Sequence, residues 1–311
     1  MTIKILKYKL CSCEILLILA GYILINSSLF AQELEPRFLS PAPVGMNFVI
    51  VAYSYSEGNV LLDQSLPLEN TDSRSHAITP AYVRSINFFG LSGRLSATLP
   101  VAKATWQGKL DSTDETTSRT GLGDPLIVLE ANFIGIPPSK GKEFLSYKNK
   151  TTLGASFKLS VPIGQYNSDK FFNISTHRWR IGLQLGLAHR ISRFVLEAYL
   201  SSWFFTTNTN FFGGNTLSQE PLFAAQLHAS YIFSPGFWAA VSFGQNYGGA
   251  TVLNDESKAP VQKNNRWEFT VAIPLSTEFS FKLAFASGIT TRFGANFTTF
   301  AAAVQYRWGG L

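Results

Sequence analysis

From about residue 45 the chain alternates apolar and polar side chains with period two, in runs of roughly ten residues. Arg178 to Arg190 shows the pattern: Trp179, Ile181, Leu183, Leu185 and Leu187 share one face, while Arg178, Arg180, Gly182, Gln184 and Gly186 share the other. Thr151 to Val161, Phe194 to Ser201, Arg266 to Ile273 and Phe300 to Trp308 repeat it. About twelve strands are predicted, starting near residues 45, 77, 91, 124, 151, 178, 193, 222, 237, 266, 278 and 297.

The breaks alternate as regularly as the strands. Phe89-Gly90, His189 to Ser192, Ser234 to Gly236 and Pro274 to Thr277 read as tight turns. Between them lie long polar stretches: Glu57 to Ser75, Lys103 to Gly121, Pro162 to Thr176, Thr206 to Glu220 and Gly248 to Asn265. Ile136 to Asn149 is a longer connection on the short-turn side. An even strand count with alternating short and long connections predicts an all-β transmembrane antiparallel barrel, with short turns and both termini periplasmic. The soluble alternative is a β-sandwich, which also buries one face of each strand. Against it, the apolar faces are nearly continuous and end in aromatics such as Trp179, Phe204, Trp267, Tyr306 and Trp308, as membrane interfaces favour.

Composition narrows the choice. Hydrophobic residues make up 46% and charged residues only 15% of the 311, well below the roughly 25% charged of ordinary soluble domains. Past the N-terminus no run of about 20 apolar residues exists to form a membrane helix.

The N-terminus reads as an export signal over residues 1–31. Lys4, Lys7 and Lys9 precede the apolar Ile15 to Ile25, and Leu29-Phe30-Ala31 offers a cleavage site. Residues 32–43 are then a periplasmic segment and 44–311 the barrel. Cys11 and Cys13, the two cysteines of the chain, fall in the signal, so the exported protein is expected to have no thiol chemistry. Removing three Lys and one Glu takes the net charge from +6 to +4. The surplus forms no basic tract, so nucleic acid is not an expected partner.

Register is set by energy. Arg or Lys on the lipid face near the midplane costs about 2–4 kcal/mol, so the polar set of each strand must point inward. Read this way, the lumen carries Arg84, Arg94, Lys158, Arg178, Arg180, Arg266, Lys282 and Arg307, opposed by Glu130, Glu197 and Glu268. His228 joins this wall, and Tyr82, Tyr199 and Trp203 offer aromatic contact. Two readings of the lumen stay open: cross-lumen ion pairs that plug it, or unmatched arginines lining a water path that draws anions. Twelve strands enclose a cylinder on the order of 24 Å across, leaving roughly 10 Å between side chains.

Little points to catalysis, a cofactor or a metal. His76, His177, His189 and His228 have no i,i+2 or i,i+4 metal-binding partner. Gly121 to Pro125 is glycine-rich but enters a strand, so it is not a phosphate loop. His228-Ala229-Ser230 resembles the His and Ser spacing of outer-membrane phospholipases, which makes an acyl hydrolase a remote alternative. Sequence supplies no orienting group or oxyanion site for that pair.

Several runs resemble the meta-pathway phenol-degradation (MetA-pathway) outer-membrane protein family: Pro43 to Phe48, Tyr53 to Asp63, Gly121 to Pro125, Val161 to Lys170, Arg178-Trp179, Trp203 to Phe205 with Asn208, Gln219 to Leu222, and Tyr306 to Gly310. Their order and spacing, over residues 41 to 310, carry the likeness. Where that family usually has Gly-Thr-Asn-Arg-Trp, this chain has Ser175-Thr176-His177-Arg178-Trp179. The resemblance implies an outer-membrane barrel of Gram-negative bacteria that transports hydrophobic or aromatic compounds. The combined expectation is a porin-like passive channel for small organic solutes. Its expected partners are outer-membrane lipid, the solute and the barrel-assembly machinery. A non-conducting barrel that binds through its loops is the alternative.

Overall fold

The computed structural model describes residues 34–61, 68–110, 113–148, 150–259, 261–290 and 294–310; the expected signal, 1–31, lies outside the described residues. In order, these form β1 (Met46–Leu61), β2 (Leu68–Phe88), β3 (Leu91–Thr98), β4 (Val101–Leu110), β5 (Thr113–Leu122), β6 (Leu126–Ile134), the short helix α1 (Gly141–Ser146), β7 (Thr151–Ser160), β8 (Arg180–Ile191) and β9 (Phe194–Phe205). There follow β10 (Asn208–Phe211), β11 (Asn215–Gln219), β12 (Leu222–Ser234), β13 (Phe237–Gly248), β14 (Thr251–Leu253), β15 (Glu256–Ala259), β16 (Asn265–Pro274), β17 (Phe279–Thr290) and β18 (Gly294–Gly309).

One sheet of 14 strands dominates, and β1 pairs antiparallel with both β18 and β2, closing it into a barrel. Setting aside the hairpin β4–β5, which extends the sheet beside the upper part of β2, leaves twelve strands around the barrel. Each of these twelve strands has a neighbour on both sides among the described residues, so the barrel wall presents no open edge that lipid could not satisfy. Strands β3, β7, β12 and β13 begin at Leu91, Thr151, Leu222 and Phe237, where the periodicity places them.

The faces separate as alternation requires. On β8, Leu183, Leu185 and Leu187 are 46–50% exposed, whereas Gln184 between them is 7% exposed. Aromatics ring the outer surface at both ends. Phe194, Tyr231, Phe233 and Phe237 touch one another at the short-turn end, as do Phe279, Tyr306 and Trp308. Trp179, Phe204, Phe223 and Tyr247 lie exposed towards the long-loop end. An apolar outer band between two aromatic girdles is the surface an outer membrane solvates.

Two expectations about side-chain direction are corrected. Arg84 pairs with Asn47 and with the exposed Leu95, so it lies on the outer face. Tyr82 is also outside, 42% exposed, with its ring 6.4 Å from Trp308 and its hydroxyl donating to Asn47 Oδ1. Both sit near the short-turn end of β2, where an outward arginine costs only about 0–1 kcal/mol because its stem can reach the headgroups.

The polar stretches also differ from the expected loops. Lys103 to Gly121 lies within the hairpin β4–β5, and Thr206 to Glu220 with Gly248 to Asn265 contain a second sheet, β10-β11-β14-β15. Beyond the lipid both faces of a strand meet water, so the apolar alternation disappears while backbone pairing persists.

Candidate functional site: the barrel lumen

The N-terminal segment, expected to be periplasmic, packs inside the barrel from Leu34 onward. It enters beside the short turns, where Val44 N donates to Ser139 O at 2.9 Å and Ser85 Oγ bonds Pro43 O. A tight turn then places Phe38 and Leu39 in the core, at 8% and 1% exposure. Arg37 takes a left-handed conformation, φ 64°, and its backbone N–H donates to Glu197 Oε2 at 2.6 Å. Tyr199 Oη donates to the other oxygen, Glu197 Oε1, at 2.5 Å. The Phe38 ring has Tyr199 edge-on at 6.1 Å, Lys158 Nζ at 4.9 Å and the Arg94 guanidinium at 5.6 Å. Inward glycines make the room. A Cβ on Gly186 would lie 2.4 Å from Tyr199, and one on Gly244 would lie 2.5 Å from Leu34.

Around this segment the wall is polar and charged. Arg94 clasps Glu130 Oε2 through Nη2 at 2.5 Å and Nε at 3.0 Å. Glu197, His228, Ser242 and Glu268 stand directly opposite one another across β9, β12, β13 and β16. Within that row His228 Nδ1 lies 2.8 Å from Ser242 Oγ, and Thr270 donates to Glu268 at 2.6 Å. His228 thus joins Ser242 and not Ser230, whose buried hydroxyl has no partner among the described residues. Among the described residues no hydrogen bond joins the two residues of the remote hydrolase alternative, which stand two apart on the inner face of β12.

Towards the long loops, Arg178 bonds Gln219 Oε1 and lies over Phe205 at 4.8 Å. The Arg178 guanidinium also lies within electrostatic reach of Arg180 and Asp124. Arg180 donates to Ser160 Oγ at 2.9 Å, and Arg266 to Thr299 Oγ1 at 2.7 Å. Trp203 packs against Gly182 on the inner wall. At the opposite mouth a cavity of about 460 Å³ opens between the N-terminal segment and the wall, bordered by Arg94, Glu130, Trp238, Lys282 and Arg307.

Of the predicted lumen residues, Arg94, Glu130, Lys158, Arg178, Arg180, Glu197, His228, Arg266, Glu268, Lys282 and Arg307 lie on the inner side, as do Tyr199 and Trp203; Arg84 and Tyr82 do not. With Arg84 removed, seven basic residues face three acidic ones, and Glu35 and Arg37 of the inserted segment cancel. Sequence reasoning missed the segment itself. Its signal was the recurrence of glycine at inward positions 154, 186 and 244, where a Cβ would meet Leu39 or Leu34.

Comparison with known proteins agrees with this architecture. The family model described as "Putative MetA-pathway of phenol degradation" matches residues 56–308. An outer membrane channel from Pseudomonas putida F1 is similar in fold, with TM-score 0.76 and 16% identity, covering 89% of this chain and 100% of that one. The transport unit of the autotransporter AIDA-I from Escherichia coli matches with TM-score 0.52 and 11% identity, covering 93% and 97%. The translocator domain of the autotransporter NalP from Neisseria meningitidis matches with TM-score 0.50 and 10% identity, covering 87% and 91%. No curated protein matches the chain in sequence.

Proposed function

Because the chain belongs to the MetA-pathway phenol-degradation family and folds as an outer-membrane barrel, we propose that it is a passive channel for small organic solutes, aromatic or anionic. The observation that carries this reading is the inner wall, where seven basic residues face three acidic ones behind an apolar exterior. A lumen of one sign raises the local concentration of oppositely charged solute. The similar barrel from Pseudomonas putida F1 is described as an outer membrane channel, which supports the same role. In this reading residues 1–31 are removed on export, the long loops face outward, and the short turns and both termini face the periplasm.

Arg178 and Arg180 set the field at the outer mouth, and the N-terminal segment sets the width of the path at the waist. Solute moves down its own gradient, with no covalent step. Planar-bilayer recording across a salt gradient tests the proposal: discrete current steps with an anion-selective reversal potential are expected. Cation selectivity would defeat the basic-lumen assignment.

The inserted segment also favours a second reading, a barrel that does not conduct and acts through its loops. That reading prevails if the folded protein carries no current either intact or after removal of residues 34–40.

A further inference from the structure

A smaller cavity, about 150 Å³, lies at the long-loop end beside the hairpin β4–β5, bordered by Thr71, Trp106, Gly108, Glu115, Thr117 and Phe172. Its origin is local. Glu69 pairs with Lys109 and Asp72 with Gln107, so Asn70 and Thr71 share a single opposite residue, Gly108. Such a bulge re-aims a side chain, and the glycine across from it leaves the space open. Trp106 and Phe172, from the hairpin and from the β7–β8 connection, stack at 4.9 Å and 8° to form the apolar wall.

Thr71 is the second observation. It is only 4% exposed, and its hydroxyl has no hydrogen-bond partner among the described residues. A buried hydroxyl without a partner is unfavourable, and this one borders the cavity. The volume is that of a cavity which takes one benzene ring, about 150 Å³. The Glu115 carboxylate on the border repels anions. From Phe172 the aromatic contacts continue to Phe171 at 5.1 Å and on to Phe211 and Phe212.

We propose that this cavity is a binding site for a single uncharged aromatic ring bearing a hydroxyl group, which stacks beside Trp106 and bonds Thr71 Oγ1. The site would capture solute before it enters the lumen, and in that role it rests on the channel reading above.

The test uses protein purified from outer membranes and benzyl alcohol as probe, read by tryptophan emission. The Trp106→Phe variant serves as the baseline that isolates the Trp106 signal. A saturable change is expected, weakened about tenfold by Thr71→Val, the size of one lost hydrogen bond, and lost in Gly108→Val. Heat-modifiable gel mobility checks folding; if Gly108→Val does not fold, the near-isosteric Thr71→Val decides alone.

A linear, unsaturable change, as from partition into detergent, overturns the proposal, and so does binding unaltered by Thr71→Val. Benzoate binding as tightly as benzyl alcohol overturns the uncharged ligand. Bilayer current from the same preparation separates the two claims. Current without saturable binding removes the site and leaves the channel, whereas binding without current removes the channel and leaves the site.

Discussion

The two ends of the barrel interior handle charge in different ways. Towards the short turns, Glu130 is clasped by Arg94, and Glu197 accepts from Tyr199 and from the backbone of Arg37. Both carboxylates are buried there, at 2% and 4% exposure, while Lys282 and Arg307 border the open cavity at the same end. At the long-loop end, Arg178 donates to Gln219 and Arg180 to Ser160, and the Asp124 carboxylate also acts on Arg178. One end uses its carboxylates to hold a segment in place; at the other, in the proposed channel, the arginines act on solute. Breaking a buried pair leaves its other charge without compensation, whereas a surplus of one sign along a lumen extends its field to what passes through.

Removing residues 34–40 should break the contrast most severely. Single-channel conductance is expected to rise several-fold, since Phe38 and Leu39 would no longer fill the waist; unchanged conductance would mean the path avoids that segment. Next in size, Glu130→Gln leaves Arg94 charged without its carboxylate. Because Arg94 keeps some solvent contact, at 23% exposure, the loss should lie near the low end for a broken buried pair, about 3 kcal/mol, measured by urea unfolding in micelles.

Replacing Arg178 and Arg180 together by Gln should leave stability nearly unchanged while moving the reversal potential towards zero. Arg84→Gln should have the smallest effect. It lies outside the lumen, and a change in selectivity on its replacement would contradict the register of β2.

Much of this architecture was legible because lipid punishes errors of register. A one-residue slip of β8 and the residues leading into it would turn Arg178 and Arg180 towards the membrane, and the structure keeps them inside. On β2 the rule weakens: Ala77 to Val83 carries no charge on either face and Thr79 is its one small polar residue, and Arg84 lies close enough to the interface to point outward at little cost. Residues 34–43 carry no periodicity, so alternation is silent about them. Glycines facing the lumen hold the relevant information, yet a missing side chain shows only that space exists, not what occupies it. For the same reason Gly108 gave no sign of a cavity, which depends on a bulge in the partner strand.

The seam between β1 and β18, where Met46 meets Gly309, has a consequence for how the molecule comes into being. The first and last strands are nearly the whole chain apart, so the seam cannot form until translation has delivered the final strand. Until then two open edges persist, and pairing of such sequence-distant segments is intrinsically slow. The segment that ends up inside is joined directly to β1, so the closing strand must shut around its own leading end or admit it afterwards through the mouth. Kinetics of closure, followed in refolding with and without residues 34–40, would then report the order in which wall and contents come together.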